Sequence, residues 1–271
     1  MKILIGAGLG FVLTLILLPF LLNMLQGTGF TRSNYRGENI PVGMGLIFVF
    51  IYVLMAFLLV RWYSPEMVLS FLVGLVFFAL LGLIDDLLGS HESRGLKGHF
   101  GALFHGRLTT GALKALGGGL GALLISSITL PGRPWWEVFT AALLIALAAN
   151  TINLVDLRPG RAIKIFYLWF LILLAVFQGR GAMLLLAPLA GGLLSCAPVD
   201  LKARAMLGDT GSNLMGAALG MVSAWTMSFP AQLTLVALLL LLHVFTEKFS
   251  LSQIIEKNSF LRFLDNLGRT K

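Results

Sequence analysis

The sequence predicts an all-α polytopic membrane protein with about nine transmembrane helices, and three observations lead to that fold class. Hydrophobic residues fill 58% of the 271 positions and charged residues only 12%, whereas a soluble domain needs about a quarter charged residues to cover its surface. The apolar residues come in blocks of roughly 17–23, the length with which a helix crosses a hydrocarbon core. Basic residues are abundant in every second connection between the blocks and sparse in the others. Period-two alternation is absent, which argues against a membrane β-barrel.

The nine blocks cover residues 3–25, 42–60, 67–88, 108–130, 135–155, 162–178, 182–198, 212–229 and 231–249. The first lacks a small-residue cleavage site and the pattern continues after it, so it is expected to be a retained helix and not a signal peptide. Lys2, Arg61, Arg133 and Arg180 stand one to a connection on one side. The other side collects Arg32 and Arg36, then Arg94, Lys97 and Arg107, then Arg158, Arg161 and Lys164, then Lys202 and Arg204. Lys248, Lys257, Arg262, Arg269 and Lys271 complete that set in the tail. Positive charge marks the cytoplasmic side, which places the N-terminus outside and the C-terminus in the cytoplasm. One transmembrane domain, 1–271, is expected, with 250–271 as a cytoplasmic amphipathic tail. The net charge of +8 suits a face lying against anionic lipid or drawing in a polyphosphate. Charge spread over short loops does not suggest nucleic acid. Cys196 is the only cysteine, so there is no disulfide framework.

Acidic residues sharpen the picture. Only Glu66 and Glu137 fall in outer connections; Glu38, Asp85, Asp86, Glu92, Asp156, Asp200, Asp209, Glu247, Glu256 and Asp265 are all inner. A carboxylate at the end of a membrane helix is costly unless paired, hydrated or metal-bound, which makes it a candidate functional group. Asp85 and Asp86 sit in the run Leu-Gly-Leu-Ile-Asp-Asp-Leu-Leu-Gly. Neighbours on a helix point about 100° apart, so the two serve different partners; a solvated helix end is the plain alternative. Asn150, Asn153 and Asp156, spaced by three, fall on one helical face and can read a hydrogen-bonding ligand or hold part of a metal shell. Arg158, Pro159, Gly160, Arg161 and Lys164 follow, with a helix break and three cations suited to phosphate. Leu207 to Asn213 reads Leu-Gly-Asp-Thr-Gly-Ser-Asn. Its glycines admit close backbone approach, Ser212 and Asn213 can cap a helix, and Asp209 is a hard oxygen donor of the kind Mg²⁺ takes when substrate phosphate completes the shell. A plain turn with a cap is the alternative there. His243 and Glu247, four apart, share a face near the end of the last block. All these groups lie at inner helix ends, and one shared site is the economical account.

Taken in order, the Asp-Asp pair, Asn-x-x-Asn-x-x-Asp and Gly-Asp-Thr-Gly-Ser resemble the polyprenyl-phosphate N-acetylhexosamine-1-phosphate transferases over most of the chain. The resemblance implies a Mg²⁺-dependent enzyme of the inner membrane, its site facing the cytoplasm. It would transfer a sugar 1-phosphate from a UDP-N-acetylhexosamine to polyprenyl (undecaprenyl) phosphate and release UMP, in cell-envelope glycan synthesis. It further implies Asp85, Asp86 and Asp209 as catalytic, with Asp209, Asp86 and Asp156 around the metal. Lys114, Asn150, Asn153, Asp156, Arg158, Arg161, Met206 and His243 would contact substrate, Lys114 near the lipid phosphate and His243 on the sugar side. Implied partners are the nucleotide sugar, the lipid phosphate, membrane lipid and a second copy in a homodimer. The chain departs from the family pattern in four places. Leu157-Arg158-Pro159-Gly160 replaces a Gly-x-Asp-Gly, Met206 stands where a uracil-stacking Phe is common, a triple-His run is absent near His243, and a tenth helix is absent. These departures favour a simple UDP-N-acetylhexosamine over the pentapeptide-bearing sugar. A non-catalytic family member that binds the lipid phosphate is one competing reading. A transporter is another, opposed by the lack of an internal repeat and the confinement of the acids to one boundary.

Overall fold

The computed structural model describes residues 1–89, 109–177 and 181–269. Glu92, Arg94, Lys97, Arg107, Arg180 and Lys271, used above to assign sides, lie outside the described residues. The rest is almost wholly helical: α1 (Lys2–Gly27), α2 (Ile47–Leu59), α3 (Pro65–Leu88), α4 (Thr110–Thr129), α5 (Trp135–Val155), α6 (Arg161–Val176), α7 (Ala187–Leu201), α8 (Gly208–Thr226), α9 (Phe229–Lys248), α10 (Leu251–Lys257) and α11 (Ser259–Asn266). A short antiparallel hairpin, β1 (Thr31–Ser33) and β2 (Asn39–Pro41), follows α1 and pairs Arg32 with Ile40. Nothing in the apolar pattern announces it.

Six helices among the described residues are long and apolar enough to cross a membrane: α1, α3, α4, α5, α9, and α7 together with the 3-10 turn Gly181–Leu186 before it. The other three blocks differ for identifiable reasons. Block 42–60 forms only a 3-10 turn, Met44–Leu46, and the 13-residue α2, because Pro41 to Gly43 belong to the hairpin and its exit. Block 162–178 yields the 16-residue α6. Block 212–229 becomes α8, whose first turn is polar and whose sides are covered by protein, so it needs no lipid-facing apolar surface.

That buried helix is the axis of the molecule and packs chiefly on α5 and α3. Glycine makes the approach close, as is common between membrane helices, where small residues let backbones touch. A Cβ on Gly216 would lie 2.3 Å from the Ala148 carbonyl oxygen, and one on Gly82 of α3 would lie 2.1 Å from the Asp209 carbonyl oxygen. A second such seam joins α1 to α7, where a Cβ on Gly191 would lie 1.8 Å from the Ala7 carbonyl oxygen. Lipid-facing sides carry the large exposed residues, such as Phe20, Phe57, Leu120 and Leu241.

After α9 the chain folds back across the start of α6. Arg161, at the start of α6, donates to both Asp265 oxygens at 2.8 and 2.9 Å and to Ser252 Oγ at 3.0 Å. Lys164 donates to the carbonyls of Leu264 and Asp265, and Arg269 to that of Pro159. Partial burial works against the Asp265 carboxylate, but the bonds from Arg161 and Arg269 outweigh it and hold the group at about 2. A carboxylate depressed in this way contributes stability above its unfolded value of about 4 and loses it as the pH falls through about 2. Tail docking is therefore constant across the neutral range.

Replacing Gly216 by Ala should destabilise the bundle by about 1–3 kcal/mol through overpacking, read as a lower Tm of the detergent-solubilised protein. Asp265→Asn should loosen the tail by about 1–3 kcal/mol, since Arg161 keeps its burial and loses its charged partner. Faster amide exchange over residues 251–266, with the bundle unchanged, would record it.

Candidate active site

The site is built around the first turn of α8. Gly208, at φ +71, turns the chain into the helix, and the opening N–H groups of a helix have no partners within it. Asp86, at the end of α3, supplies them. Its carboxylate accepts from Asp209 N at 2.9 Å, Thr210 N at 2.9 Å and Thr210 Oγ1 at 2.6 Å. The Asp86 carbonyl in turn accepts from the Arg32 guanidinium at 2.8 and 3.2 Å, which closes the open C-terminal end of α3. The two neighbouring aspartates do serve different partners, as their angular separation predicts.

Asp85 faces α4. Lys114 Nζ donates to Asp85 Oδ2 at 2.9 Å and to Asp209 Oδ2 at 2.5 Å, a single ammonium between two carboxylates. From α5, Asn153 Nδ2 donates to Ser212 Oγ at 3.0 Å and so steadies the Gly-Asp-Thr-Gly-Ser turn from its other side. Asp156 follows α5, beside Asp200 at the end of α7, whose Oδ2 accepts from Gly160 N at 2.6 Å. Burial, then the carboxylates of Asp200, Asp209 and Asp86, push the Asp156 carboxyl well above the usual range.

Four of these carboxylates, Asp86, Asp156, Asp200 and Asp209, bound a cleft of about 190 Å³ that is closed by Arg158, Met206, Asn34 and Tyr35. The hairpin explains the last two. Asn34 Oδ1 accepts from the N–H groups of Arg36 and Glu38, fixing the turn that presents Tyr35. Arg158 and Arg36 lie over that ring, 5.1 and 5.2 Å from its centre. The backbone continues the framework: Met206 N donates to Pro41 O at 2.8 Å, Met44 N to Met206 O at 3.0 Å and Gly45 N to Leu207 O at 3.1 Å.

The sequence-predicted site residues are not all brought to the cleft. Asp86 accepts from three donors and caps α8; among the described residues no trio of His, Cys, Asp or Glu is arranged to hold an ion unaided. Asn150 is exposed and off the cleft. A spacing of three falls about 60° short of a full turn, so over six residues the strip has rotated away, and Asp156 already lies past the helix end. Arg161 points its guanidinium at the tail, not at the cleft. His243 bonds the Leu239 carbonyl within its own helix at 2.7 Å and lines none of the cleft. Asp200, Asn34 and Tyr35 escaped selection. For Asp200 the signal was a lone carboxylate ending an apolar block, and for the other two a turn-forming Asn-Tyr-Arg-Gly in the connection after α1.

With this geometry in hand, similarity to known proteins can be placed on it. A family model described as glycosyl transferase family 4 matches residues 68–227, which include Asp85, Lys114, Asp156, Asp200 and Asp209. The phospho-N-acetylmuramoyl-pentapeptide-transferase of Heliobacterium modesticaldum is 27% identical, over 82% of this chain and 73% of its own length. That of Moorella thermoacetica is 32% identical over 72% and 64%, and that of Clostridium perfringens strain SM101 is 26% identical over 96% and 83%. The resemblance read from the motifs agrees with these matches, and the chain is an enzyme of the transferase class. It belongs to glycosyl transferase family 4.

Proposed function

We propose that this protein transfers a sugar 1-phosphate from a UDP-N-acetylhexosamine to polyprenyl phosphate, releasing UMP, at the cytoplasmic face of the inner membrane. The observation that carries the reading is the meeting of Asp86, Asp156, Asp200 and Asp209 around one cleft, with Lys114 joining Asp209 to Asp85 beside it. A nine-crossing chain with its N-terminus outside puts that cleft level with the cytoplasmic leaflet, where a soluble nucleotide and a long lipid can both reach it. The distribution of basic residues supports this topology.

In the reaction an oxygen of the lipid phosphate attacks the sugar-bearing phosphorus, the bond from that phosphorus to the oxygen it shares with the UMP phosphorus breaks, and UMP leaves. Repulsion between phosphates is the main obstacle, and positioning with charge stabilisation is the main remedy. Lys114 contributes a fixed ammonium beside Asp85 and Asp209, placed to orient the acceptor phosphate. Arg158, at the cleft mouth, faces the diphosphate. Asn153 and Ser212 hold the loop of Asp209 in place. The donor set fits Mg²⁺: Asp156 and Asp209 offer hard oxygens to the cleft, and crowding among the acids calls for a cation. An ion that takes one or two carboxylates and completes its shell with phosphate and water needs no third protein ligand. Bound there, Mg²⁺ would supply charge neutralisation on the diphosphate.

A second reading concerns the sugar. The relatives are named for the phospho-N-acetylmuramoyl-pentapeptide, and the same chemistry would serve that donor.

Purified protein with undecaprenyl phosphate and Mg²⁺ should release UMP from at least one of UDP-GlcNAc, UDP-GalNAc and UDP-MurNAc-pentapeptide; silence across the panel refutes the transferase assignment. Asp209→Asn should lower turnover by about 10²–10³-fold with the melting temperature kept. Asp86→Ala should instead lose about 0.5–2 kcal/mol of stability through the missing cap, visible as a lower Tm before any activity is measured.

A further inference from the structure

The tail helix α11 is mounted inside out. At about 100° per residue, Phe260, Leu261, Phe263, Leu264 and Leu267 fall on one side, and Arg262, Asp265 and Asn266 on the other. A helix on a soluble surface turns its apolar side inward. Here the anchor is on the polar side: Asp265 pairs with Arg161 and Arg269, and Lys164 bonds the Leu264 and Asp265 carbonyls, while Arg262 and Asn266 stay exposed. The apolar side is left outward, with Phe260 65%, Phe263 63% and Leu267 56% exposed.

Where the helix sits explains the inversion. α10 begins at Leu251, directly after the membrane-crossing α9 ends at Lys248. Arg161, which anchors α11, opens α6 at the same end of the bundle as Asp156. The tail therefore cannot rise far from the plane of the inner helix ends. Lys257, Arg262 and Arg269 outnumber Glu256 and Asp265 along α10, α11 and the turn after them, a balance that complements an acidic leaflet.

We propose that α11 is an interfacial helix, with Phe260, Phe263, Leu264 and Leu267 set into the boundary between headgroups and acyl chains of the cytoplasmic leaflet. Lipid is the occupant of the outward face, and the leaflet and the Arg161–Asp265 pair hold the helix from opposite sides. One consequence concerns a second cleft, of about 490 Å³, which shares Tyr35 and Arg158 with the first and takes Arg262 and Arg269 from this tail. Its tail-side wall is then fixed by the membrane. The inference depends on the chain being embedded, not on the reaction proposed above.

The test uses the full chain in vesicles of phosphatidylethanolamine and phosphatidylglycerol. Phe263→Cys carries an environment-sensitive fluorophore, and Lys257→Cys serves as the aqueous reference; Cys196 is buried and does not compete for the label. Quenching by headgroup-proximal spin-labelled lipid, relative to aqueous iodide, should be several-fold greater at 263 than at 257. Iodide quenching at 263 without lipid quenching would overturn the proposal. Energy transfer between labels on two copies, without lipid quenching, would overturn it in favour of a protein contact. On the unsubstituted chain, a carbene-generating phospholipid should label residues 259–267, and absence of adducts there would equally refute it.

Discussion

A helix that starts inside a protein must find acceptors for its first N–H groups, because each buried unmet group is costly. The Asp86 carboxylate meets this need for α8 from 123 residues away, while its own carbonyl is met by Arg32. One side chain thereby fixes where α3 stops, where α8 starts and how the two are rotated. The placement of Asp209 follows, since its backbone N–H is one of the bonded groups, and so does its nearness to Asp85. Lys114 reaches both carboxylates because the cap has already brought them together.

The same framework tolerates an electrostatic arrangement that would not persist alone. Asp156 is partly buried beside three other carboxylates, and proximity of like charges opposes ionisation. What keeps them close is not attraction between them but glycine. Gly82, Gly216 and Gly220 let α8 sit against α3 and α5 at backbone contact, so the helix ends and the acids on them have no room to spread. Packing energy in the dry core is spent on a charge-crowded rim, the arrangement expected where a cationic ligand completes the site.

Much of this was legible in the residues. The helical class followed from block length, and the acid-bearing ends followed from the motifs around Asp85, Asp156 and Asp209. What escaped has physical reasons. Block length counts apolar residues and cannot tell a lipid-exposed helix from one wrapped by protein, so it did not show that α8 would be the buried axis. A three-residue spacing is only locally a face, so Asn150 was grouped with Asn153. Cations after a helix break look alike in sequence whether they meet a phosphate or a carboxylate of the same chain; Arg161 meets Asp265. The Asp86 cap could not be read because both of its partners belong to a distant segment.

The backbone pairing of Met44 and Gly45 with Met206 and Leu207, with Gly45 pressed directly on Gly211, has a temporal meaning. The polypeptide enters the bilayer in order, and the early segment has no stand-in for these late partners. It must remain unsettled while some 160 residues emerge (a span set by residues 45 and 207), and non-local pairings of this kind close slowly. The reactive cleft is thus among the last features to mature, and a chain truncated before residue 206 could insert its helices yet never assemble the floor on which its chemistry stands.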